Sequence, residues 1–381
     1  MRTILALASL ALLLFILWDS FEVMIFPRRV TRAFRPTRVY YRTLWKLWRF
    51  VACRVKRPRY RETFLSVFGP LSLLGLFATW IFILIFAFAA LHWSLGTPMK
   101  APDDRTDFFM YWYLSGTTFF TLGFGDITPL ESLGRFLAVL EAGLGFGFIA
   151  VIIGYLPTLF QAFSRRETTI SLLDARAGSP PSATQLLLRA AQAHQLENVG
   201  PFLEEWERWA AELLESNLSF PVLTYYRSQH DNQSWLAALT AILDTCALLL
   251  SIVRSKHAYQ AQLTFAMARH AAVDLALVFK TPPHSPEPDR LPPERCHLVA
   301  KQMRDAGLEL VDSEVAVKHF AELRAMYEPF VNALAEFLLF TLPPLLPERT
   351  TVDNWQTTAW ARRAPGIGKL TLPPDADEHF D

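Results

Sequence analysis

The hexapeptide TLGFGD, residues 121–126, directly follows an apolar run that extends from Phe108 to Phe120. Its two glycines, Gly123 and Gly125, lack the Cβ atom that restricts the backbone of other residues. Backbone angles that turn successive carbonyl groups towards one axis are therefore accessible to this stretch. The spacing predicts a segment of chain that presents a row of carbonyl oxygens.

The other four residues of the hexapeptide have distinct chemistry. Leu122 and Phe124 alternate with the glycines, so we expect their side chains to point away from the carbonyl axis and to pack against a surrounding wall. Thr121 adds a hydroxyl at one end of the row. Asp126 adds a carboxylate at the other end, where it attracts cations.

Two long apolar segments flank the hexapeptide. The first, Leu71 to Leu91, has 21 residues without a charge, or about 32 Å of helix, which is enough to cross a bilayer. The second, Phe136 to Phe163, contains Glu141 as its only charge. Phe108 to about Thr118 is too short to span and predicts a re-entrant helix, since irregular backbone at membrane depth must line a watery path.

The hexapeptide resembles the selectivity filter of tetrameric potassium channels, whose usual form is TVGYGD, and it departs from that form at Leu122 and Phe124. Residues 65–165 resemble the two-helix pore module of bacterial potassium channels, and the match extends to Leu133-Gly134-Arg135. The resemblance implies a homotetramer, since each chain has one pore loop, and no organic cofactor. It also implies permeant K⁺ ions at the filter residues Thr121, Leu122, Gly123 and Phe124, with Gly125 completing the row.

The composition is that of a membrane protein. The 381 residues are 52% hydrophobic and include 30 Phe and 11 Trp, more apolar than an ordinary soluble enzyme. Residues 1–61 contain 14 Lys and Arg against two acidic residues, whereas the remainder contains 23 basic and 34 acidic residues. The positive charge is therefore local. The three cysteines are widely scattered and indicate neither a disulfide framework nor a zinc site.

The first apolar run, Thr3 to Trp18 and onward to Phe26, is compatible with a signal peptide, a spanning helix or an interfacial helix. Between Arg28 and Arg61 there are 13 Lys and Arg and no acidic residue, which places that segment in the cytoplasm. A cleaved signal peptide would place it outside. We therefore expect an uncleaved transmembrane helix that starts outside, with an interfacial helix as the alternative.

The basic segment allows two interpretations. Arginines recur at every third position from Arg29 to Arg38, as gating charges do in a voltage sensor. Pro36 interrupts the pattern, and a sensor needs neighbouring membrane helices with counter-charges. We favour a juxtamembrane helix that binds anionic lipid through residues 28–61, with four aromatic residues at the interface: Tyr40, Tyr41, Trp45 and Trp48.

Several residues around the hexapeptide are candidates for filter support. Glu141 is a carboxylate within a span, and such groups face protein or water. We expect it either to brace the filter by bonding to a polar group of the short helix or to add charge to the cavity. The full set of expected supports is Asp126, Glu141, Trp112, Tyr113, Thr117 and Thr118, with Ser115 as a further partner for Glu141 and Tyr111 as a third aromatic around the filter.

The second apolar segment contains helix-bending residues. By resemblance to potassium channels, Gly145 in the middle of the inner helix is expected to be a gating hinge. Pro157 removes a backbone hydrogen bond and is expected to kink the helix below it. For Gly143 and Gly147 we expect close packing against the short pore helix.

Beyond Arg166 the resemblance ends, and apolar periodicity predicts a cytoplasmic helical bundle. Trp235 to Val253 is apolar enough for a span, but Asp244 interrupts it, so we expect a buried helix. No G-x-G-x-x-G occurs, which disfavours a Rossmann-type sensor. The expected helices are Ala183–Leu196, Phe202–Glu215, Trp235–Val253, Ala258–Phe279 and Val315–Phe340, with a linker at Thr281–Pro293.

Two polar groups in the bundle were considered as ligand sites. His270 and Asp274 share a helix face, and residues 225–233 are densely polar. Metal or ligand binding is one interpretation of both. We favour a capped turn or an internal hydrogen-bond network, because a single His/Asp pair is a weak metal signal.

The sequence therefore predicts an all-α, multi-pass cell-membrane protein. Its expected segments are an N-terminal transmembrane helix (1–27), a basic cytoplasmic segment (28–63), a pore module of outer helix, re-entrant pore helix, filter and inner helix (64–165), a C-terminal cytoplasmic helical domain (166–345) and a Pro-rich tail (346–381). The function expected from the resemblance is a potassium-selective channel. Two alternatives remain: a nonselective cation channel or pore-derived scaffold, and an enzyme or receptor domain on a pore-like anchor. The last lacks any nucleophile-base or metal constellation in the sequence.

Overall fold

The computed structural model describes residues 1–26, 35–101, 107–229, 233–285, 289–311 and 313–346. Over these residues the protein is an all-α membrane protein, as the sequence predicts. The chain divides into two compact units, Met1–Gln161 and Ala162–Asp381. The tail that we expected at 346–381 lies almost wholly outside the described residues.

The first unit contains the apolar helices and a short two-stranded ribbon. Its elements in chain order are α1 (Arg2–Met24), α2 (Pro36–Ala52), α3 (Pro58–Leu95), β1 (Met99–Lys100), α4 (Phe108–Phe119), β2 (Thr128–Pro129) and α5 (Ser132–Ala177), the last of which continues into the second unit.

Three of these helices are long and apolar enough to cross a membrane: α1, α3 and α5. Helix α3 has 38 residues and contains Pro70 in its interior. The helix therefore begins well before the apolar run Leu71 to Leu91 that marks it in the sequence. A proline removes one hydrogen bond of a helix. The remaining hydrogen bonds of this long helix keep it continuous across Pro70.

Helix α1 lies antiparallel to α3 along its length. At one end the Arg2 guanidinium is next to Gly96, which caps α3. Towards the other end the Trp80 indole nitrogen donates a hydrogen bond of 3.1 Å to the Asp19 carboxylate. The helix of 23 residues is about 34 Å long. Its length and its alignment with α3 fit a helix that spans the membrane better than one that lies at its surface.

The end of α1 fixes the beginning of α2 through two buried acidic residues. The Asp19 carboxylate also accepts a 2.6 Å hydrogen bond from the Thr37 hydroxyl, in the first turn of α2. Glu22 lies 3.6 Å from Arg35, the residue that precedes α2. A carboxylate near a helix N-terminus stabilises the helix. Arg29 and Arg32, which begin the three-residue arginine pattern, lie outside the described residues.

Helix α2 packs against the first half of α3 through its aromatic residues. The Tyr40 hydroxyl donates to the Ser72 carbonyl at 3.0 Å, and the Trp48 ring stacks on Phe64 at a centroid distance of 4.4 Å. Trp45 is buried. The prediction is wrong for Trp45, because α3 extends far enough before its apolar run to cover it. For Tyr40, Tyr41 and Trp48 the interfacial position stays a prediction.

The ribbon of β1 and β2 was not predicted. Met99 pairs with Pro129 and Lys100 with Thr128, which ties the loop after α3 to the chain that follows the hexapeptide. Residues 102–106, between β1 and α4, lie outside the described residues.

The second unit is a helical bundle around α8. Nearly every residue of α8 is buried, as expected for a buried bundle helix. The predicted single helix at 315–340 is two helices, separated where the chain turns at Met326 and Tyr327. A further helix that was not predicted begins at the end of the expected linker and runs from Pro293 to Asp305. The helices of this unit after α5 are α6 (Ala183–Gln192), α7 (Val199–Ser219), α8 (Trp235–Ser251), α9 (Ala258–Phe279), α10 (Pro293–Asp305), α11 (Glu314–Ala325) and α12 (Glu328–Leu338).

A buried ionic network joins α8 to α12. The Arg290 guanidinium lies 2.8 Å from the Asp244 carboxylate and 2.7 Å from that of Glu328. The Tyr327 hydroxyl also donates to Asp244. Burial alone would lower the pKa of Arg290, but the two carboxylates outweigh it and raise the pKa above its ordinary value. Arg290 therefore stays charged and compensates both acids.

We expect Arg290→Ala to destabilise the bundle by about 3 to 5 kcal/mol, because it leaves buried carboxylates uncompensated. The measurement is the midpoint of denaturant unfolding of the full chain in detergent. Arg208→Ala is the matched control, since the Arg208 side chain is 74% exposed, and it should leave the midpoint unchanged. Equal midpoints for both variants would contradict the role assigned to the network.

Candidate functional site

The short helix α4 delivers the chain to the hexapeptide. It begins after Asp107, whose carboxylate caps the helix by accepting a 3.0 Å hydrogen bond from the Met110 amide. Its 12 residues are about 18 Å long, too short to cross a bilayer. At its end the Thr117 carbonyl accepts from the Leu122 amide at 2.8 Å, and the Thr118 carbonyl from the Thr121 amide at 2.9 Å. These bonds attach the hexapeptide to the helix end.

The backbone of the hexapeptide alternates in conformation. Thr121, Gly123 and Gly125 have φ values of 55°, 56° and 76°, whereas the intervening residues have negative φ. A change of hand at every second residue directs successive carbonyls to the same side. The glycines adopt these angles freely, but for Thr121 positive φ stores strain.

The Leu122 and Phe124 side chains of the hexapeptide are exposed within one chain. Leu122 is 57% exposed and Phe124 66% exposed. They alternate with the glycines, as expected, but the wall against which we expected them to pack is not formed by the described part of their own chain.

The three aromatic residues expected around the filter have different surroundings. The Tyr113 hydroxyl lies beside the Asp126 carboxylate, just after the filter. Trp112 instead packs edge-on against Phe82 of α3, at 5.2 Å between ring centroids. The Tyr111 hydroxyl donates to the Thr97 carbonyl at 3.0 Å. In the described chain, only Tyr113 of the three lies next to the hexapeptide, since successive residues of a helix point about 100° apart.

Glu141 is fully buried on α5 and faces α4. Of its three expected partners, Ser115 lies beside the carboxyl group, whereas the Thr117 hydroxyl donates to the Leu114 carbonyl of its own helix. Among the described residues neither carboxyl oxygen has a hydrogen bond of ordinary geometry. A carboxyl group thus sits directly behind the helix that ends at the filter.

Gly145 is the glycine that packs against the end of α4. A Cβ atom at this position would lie 2.2 Å from the Phe119 carbonyl oxygen. Gly143 and Gly147, for which we expected this contact, have no atom within 4 Å of the corresponding position in the described chain. That expectation is wrong, because the buried face of α5 runs through positions 141, 145 and 148. The hinge role expected for Gly145 stays a prediction.

Helix α5 continues without a break through Pro157. The neighbouring Thr158 hydroxyl donates to the Gly154 carbonyl at 3.1 Å, one turn earlier. A gating bend at Pro157 therefore stays a prediction.

The sequence analysis missed Thr97 and the reason for Gly134. A Cβ atom at Gly134 would lie 2.3 Å from the Thr97 side chain. Because Thr97 also receives the Tyr111 hydrogen bond, it joins the beginning of α5 to α4 behind the hexapeptide. No periodicity or motif marks Thr97, since its role depends on residues distant in sequence.

The polar groups of the bundle have internal partners. The Arg227 guanidinium donates to the Leu339 carbonyl, and the Gln233 amide to the Asp174 carboxylate. Within 225–233, the last three positions before Gln233 lie outside the described residues. His270 and Asp274 are 3.6 Å apart. Among the described residues, no group of three or more His, Cys, Asp or Glu is arranged to hold a metal ion.

Comparison with known proteins gives one family match. Residues 76–162, which contain the helices and the hexapeptide described above, match the family model described as ion channel, of the two-helix pore-loop type. The matched segment is 87 of the 381 residues, so the likeness concerns this part of the chain. The match supports ion transport across a membrane and leaves the selectivity and the number of chains open.

A curated relative also matches. The chain is 25% identical over 203 residues to the uncharacterized membrane protein YdjJ of Bacillus subtilis (strain 168). The aligned residues are 52% of this chain. The alignment spans 57% of that relative's length. No solved structure matches the chain.

We expect Gly145→Ala to force α4 and α5 apart and to cost about 1 to 3 kcal/mol, because the added methyl group meets backbone rather than a flexible side chain. Thermal unfolding of the purified membrane protein measures the effect. Gly143→Ala is the control within the same helix and should be tolerated better. An alanine at 145 that is as stable as the native glycine would contradict this packing.

We expect Glu141→Ala to alter single-channel conductance or inactivation, because it empties a buried site directly behind the pore helix. Recordings from reconstituted protein measure both properties. Glu204→Ala changes a carboxylate that is 65% exposed on α7 and should leave them unaltered. Unchanged behaviour of the Glu141 variant would refute the brace.

Proposed function

We propose that the protein is a potassium-selective channel that conducts K⁺ passively through a homotetrameric pore. The observation that carries this proposal is the alternating backbone of TLGFGD at the end of a re-entrant helix. A K⁺ ion sheds its water only where other oxygens replace it on all sides. Carbonyls at Thr121, Leu122, Gly123 and Phe124 provide such oxygens in successive layers.

The number of chains follows from the number of oxygens. Each chain contributes one carbonyl to each layer, and one strand of carbonyls cannot surround an ion. Four copies related by a closed rotation complete the ring. The exposed side chains of Leu122 and Phe124 then have a place against the neighbouring copies, which agrees with their exposure in the single chain.

The charges near the pore favour cations. The end of α4 points its partial negative charge towards the filter, and Asp126 stands at the opposite mouth. We place that mouth outside the cell, with the N-terminus outside and the bundle in the cytoplasm, because the basic segment 28–61 follows the positive-inside rule. The bundle gates or assembles the pore.

We also propose that α2 contacts anionic lipid. Three basic side chains, Arg38, Arg42 and Lys46, are exposed along one side of this helix. An adjacent side exposes Val39, Leu47 and Phe50. Basic and apolar surfaces side by side are typical of helices at a membrane surface.

Purified protein in liposomes with an outward K⁺ gradient tests the function. We expect K⁺ flux that barium blocks and that exceeds Na⁺ flux, since Ba²⁺ has about the size of K⁺ and binds the same carbonyl oxygens. Gly123→Ala should abolish this flux because a Cβ atom resists positive φ. Equal K⁺ and Na⁺ flux would support the alternative of a nonselective cation channel, and absence of flux would support a pore-derived scaffold.

A further inference from the structure

Arg166 lies in the part of α5 that belongs to the bundle, and its side chain is only 3% exposed. A buried guanidinium is costly unless its donors find partners. Each of its three nitrogens has one: Nε donates to the Glu167 carboxylate at 2.9 Å, Nη1 to the Leu223 carbonyl at 2.9 Å, and Nη2 to the Tyr226 carbonyl at 3.0 Å.

The two carbonyls belong to one short structural feature. A 3₁₀ helix runs from Pro221 to Tyr225 and ends at Tyr226. The end of a helical turn carries partial negative charge, which a guanidinium complements. The planar fork of arginine reaches both carbonyls at once, and a lysine ammonium does not.

Further contacts hold the same turn of α5. The Trp209 indole of α7 donates to the Arg166 carbonyl at 3.4 Å. The Phe163 ring lies 5.2 Å from the Arg166 guanidinium and 5.4 Å from the Tyr226 ring. One turn of α5 is therefore fixed to two other elements of the bundle.

The 221–227 segment is held from its other end as well. The Arg227 guanidinium donates to the Leu338 and Leu339 carbonyls at the end of α12 and lies 4.0 Å above the Phe340 ring. A rearrangement of α12 would therefore move the carbonyls that Arg166 holds.

We propose that Arg166 is the positioning residue through which the bundle acts on the inner helix of the pore. We call Arg166 with its partners Glu167, Leu223 and Tyr226 the arginine clamp. This inference rests on the proposed channel function. Helix α5 is unbroken from the channel domain to Ala177, so a displacement applied at Arg166 is transmitted along a continuous helix. The clamp makes the bundle a regulator of opening rather than only an assembly domain.

The test compares Arg166→Ala with Arg165→Ala in the full-length protein in liposomes. Arg165 is the adjacent, exposed arginine, so the control removes the same charge without the carbonyl contacts. We expect Arg166→Ala to change the open probability at least about fivefold while conductance and the K⁺/Na⁺ ratio stay unaltered. Arg165→Ala should match the wild type. Wild-type open probability in a folded Arg166→Ala channel would overturn the proposal.

A second variant covers the case in which Arg166→Ala fails to fold. Two glycines inserted between Gln161 and Ala162 leave every clamp contact in place but make the helix pliable. We expect the same change in open probability, and wild-type gating would overturn the proposal.

Amide hydrogen exchange separates this inference from the channel function. Loss of the clamp should accelerate exchange over residues 156–165 in Arg166→Ala but not in Arg165→Ala, whether or not the protein conducts. Equal exchange in the two variants would overturn the clamp. If the two variants differ in exchange while the wild-type protein shows no K⁺ flux, only the proposed channel function is contradicted.

Discussion

The need to satisfy backbone carbonyls at membrane depth governs this structure. In hydrocarbon an unpaired carbonyl is costly, so nonhelical backbone is tolerated only where water or ions reach it. The alternating φ values at Thr121, Gly123 and Gly125 turn the carbonyls of one stretch to a common side. Helix α4 ends directly before that stretch, and its Thr117 and Thr118 carbonyls accept hydrogen bonds from the first two amides of the stretch. The surrounding helices keep this short segment in position.

The second requirement is that α5 approaches its neighbours closely, and two glycines of α5 allow this. Gly145 admits the Phe119 carbonyl, and Gly134 admits the Thr97 side chain. Both contacts join α5 to chain that precedes the hexapeptide. Together with the buried Glu141 and Ser115 pair, they pack α5 against α4, the helix that ends at the hexapeptide.

In the bundle, buried charged side chains connect the helices to one another. Asp244, Arg290 and Glu328 compensate one another inside the core, whereas Arg166 and Arg227 bind carbonyls at the ends of helical turns. Arginine suits both tasks because its donors form a planar fork. Interactions of this kind are specific in geometry, so they hold elements in defined positions.

The sequence by itself determined the all-α class, the apolar helices, the short helix before the hexapeptide and the position of the hexapeptide, because these follow from local periodicity, charge and glycine spacing. Helix α9 has the predicted bounds for the same reason. Only the tertiary structure decided that Gly145 rather than Gly143 meets α4, that Trp112 faces α3, that Trp45 is buried, and that Arg166 holds the 221–226 turn. Each of these depends on which side of a helix meets a partner distant in sequence, and local periodicity does not specify that partner.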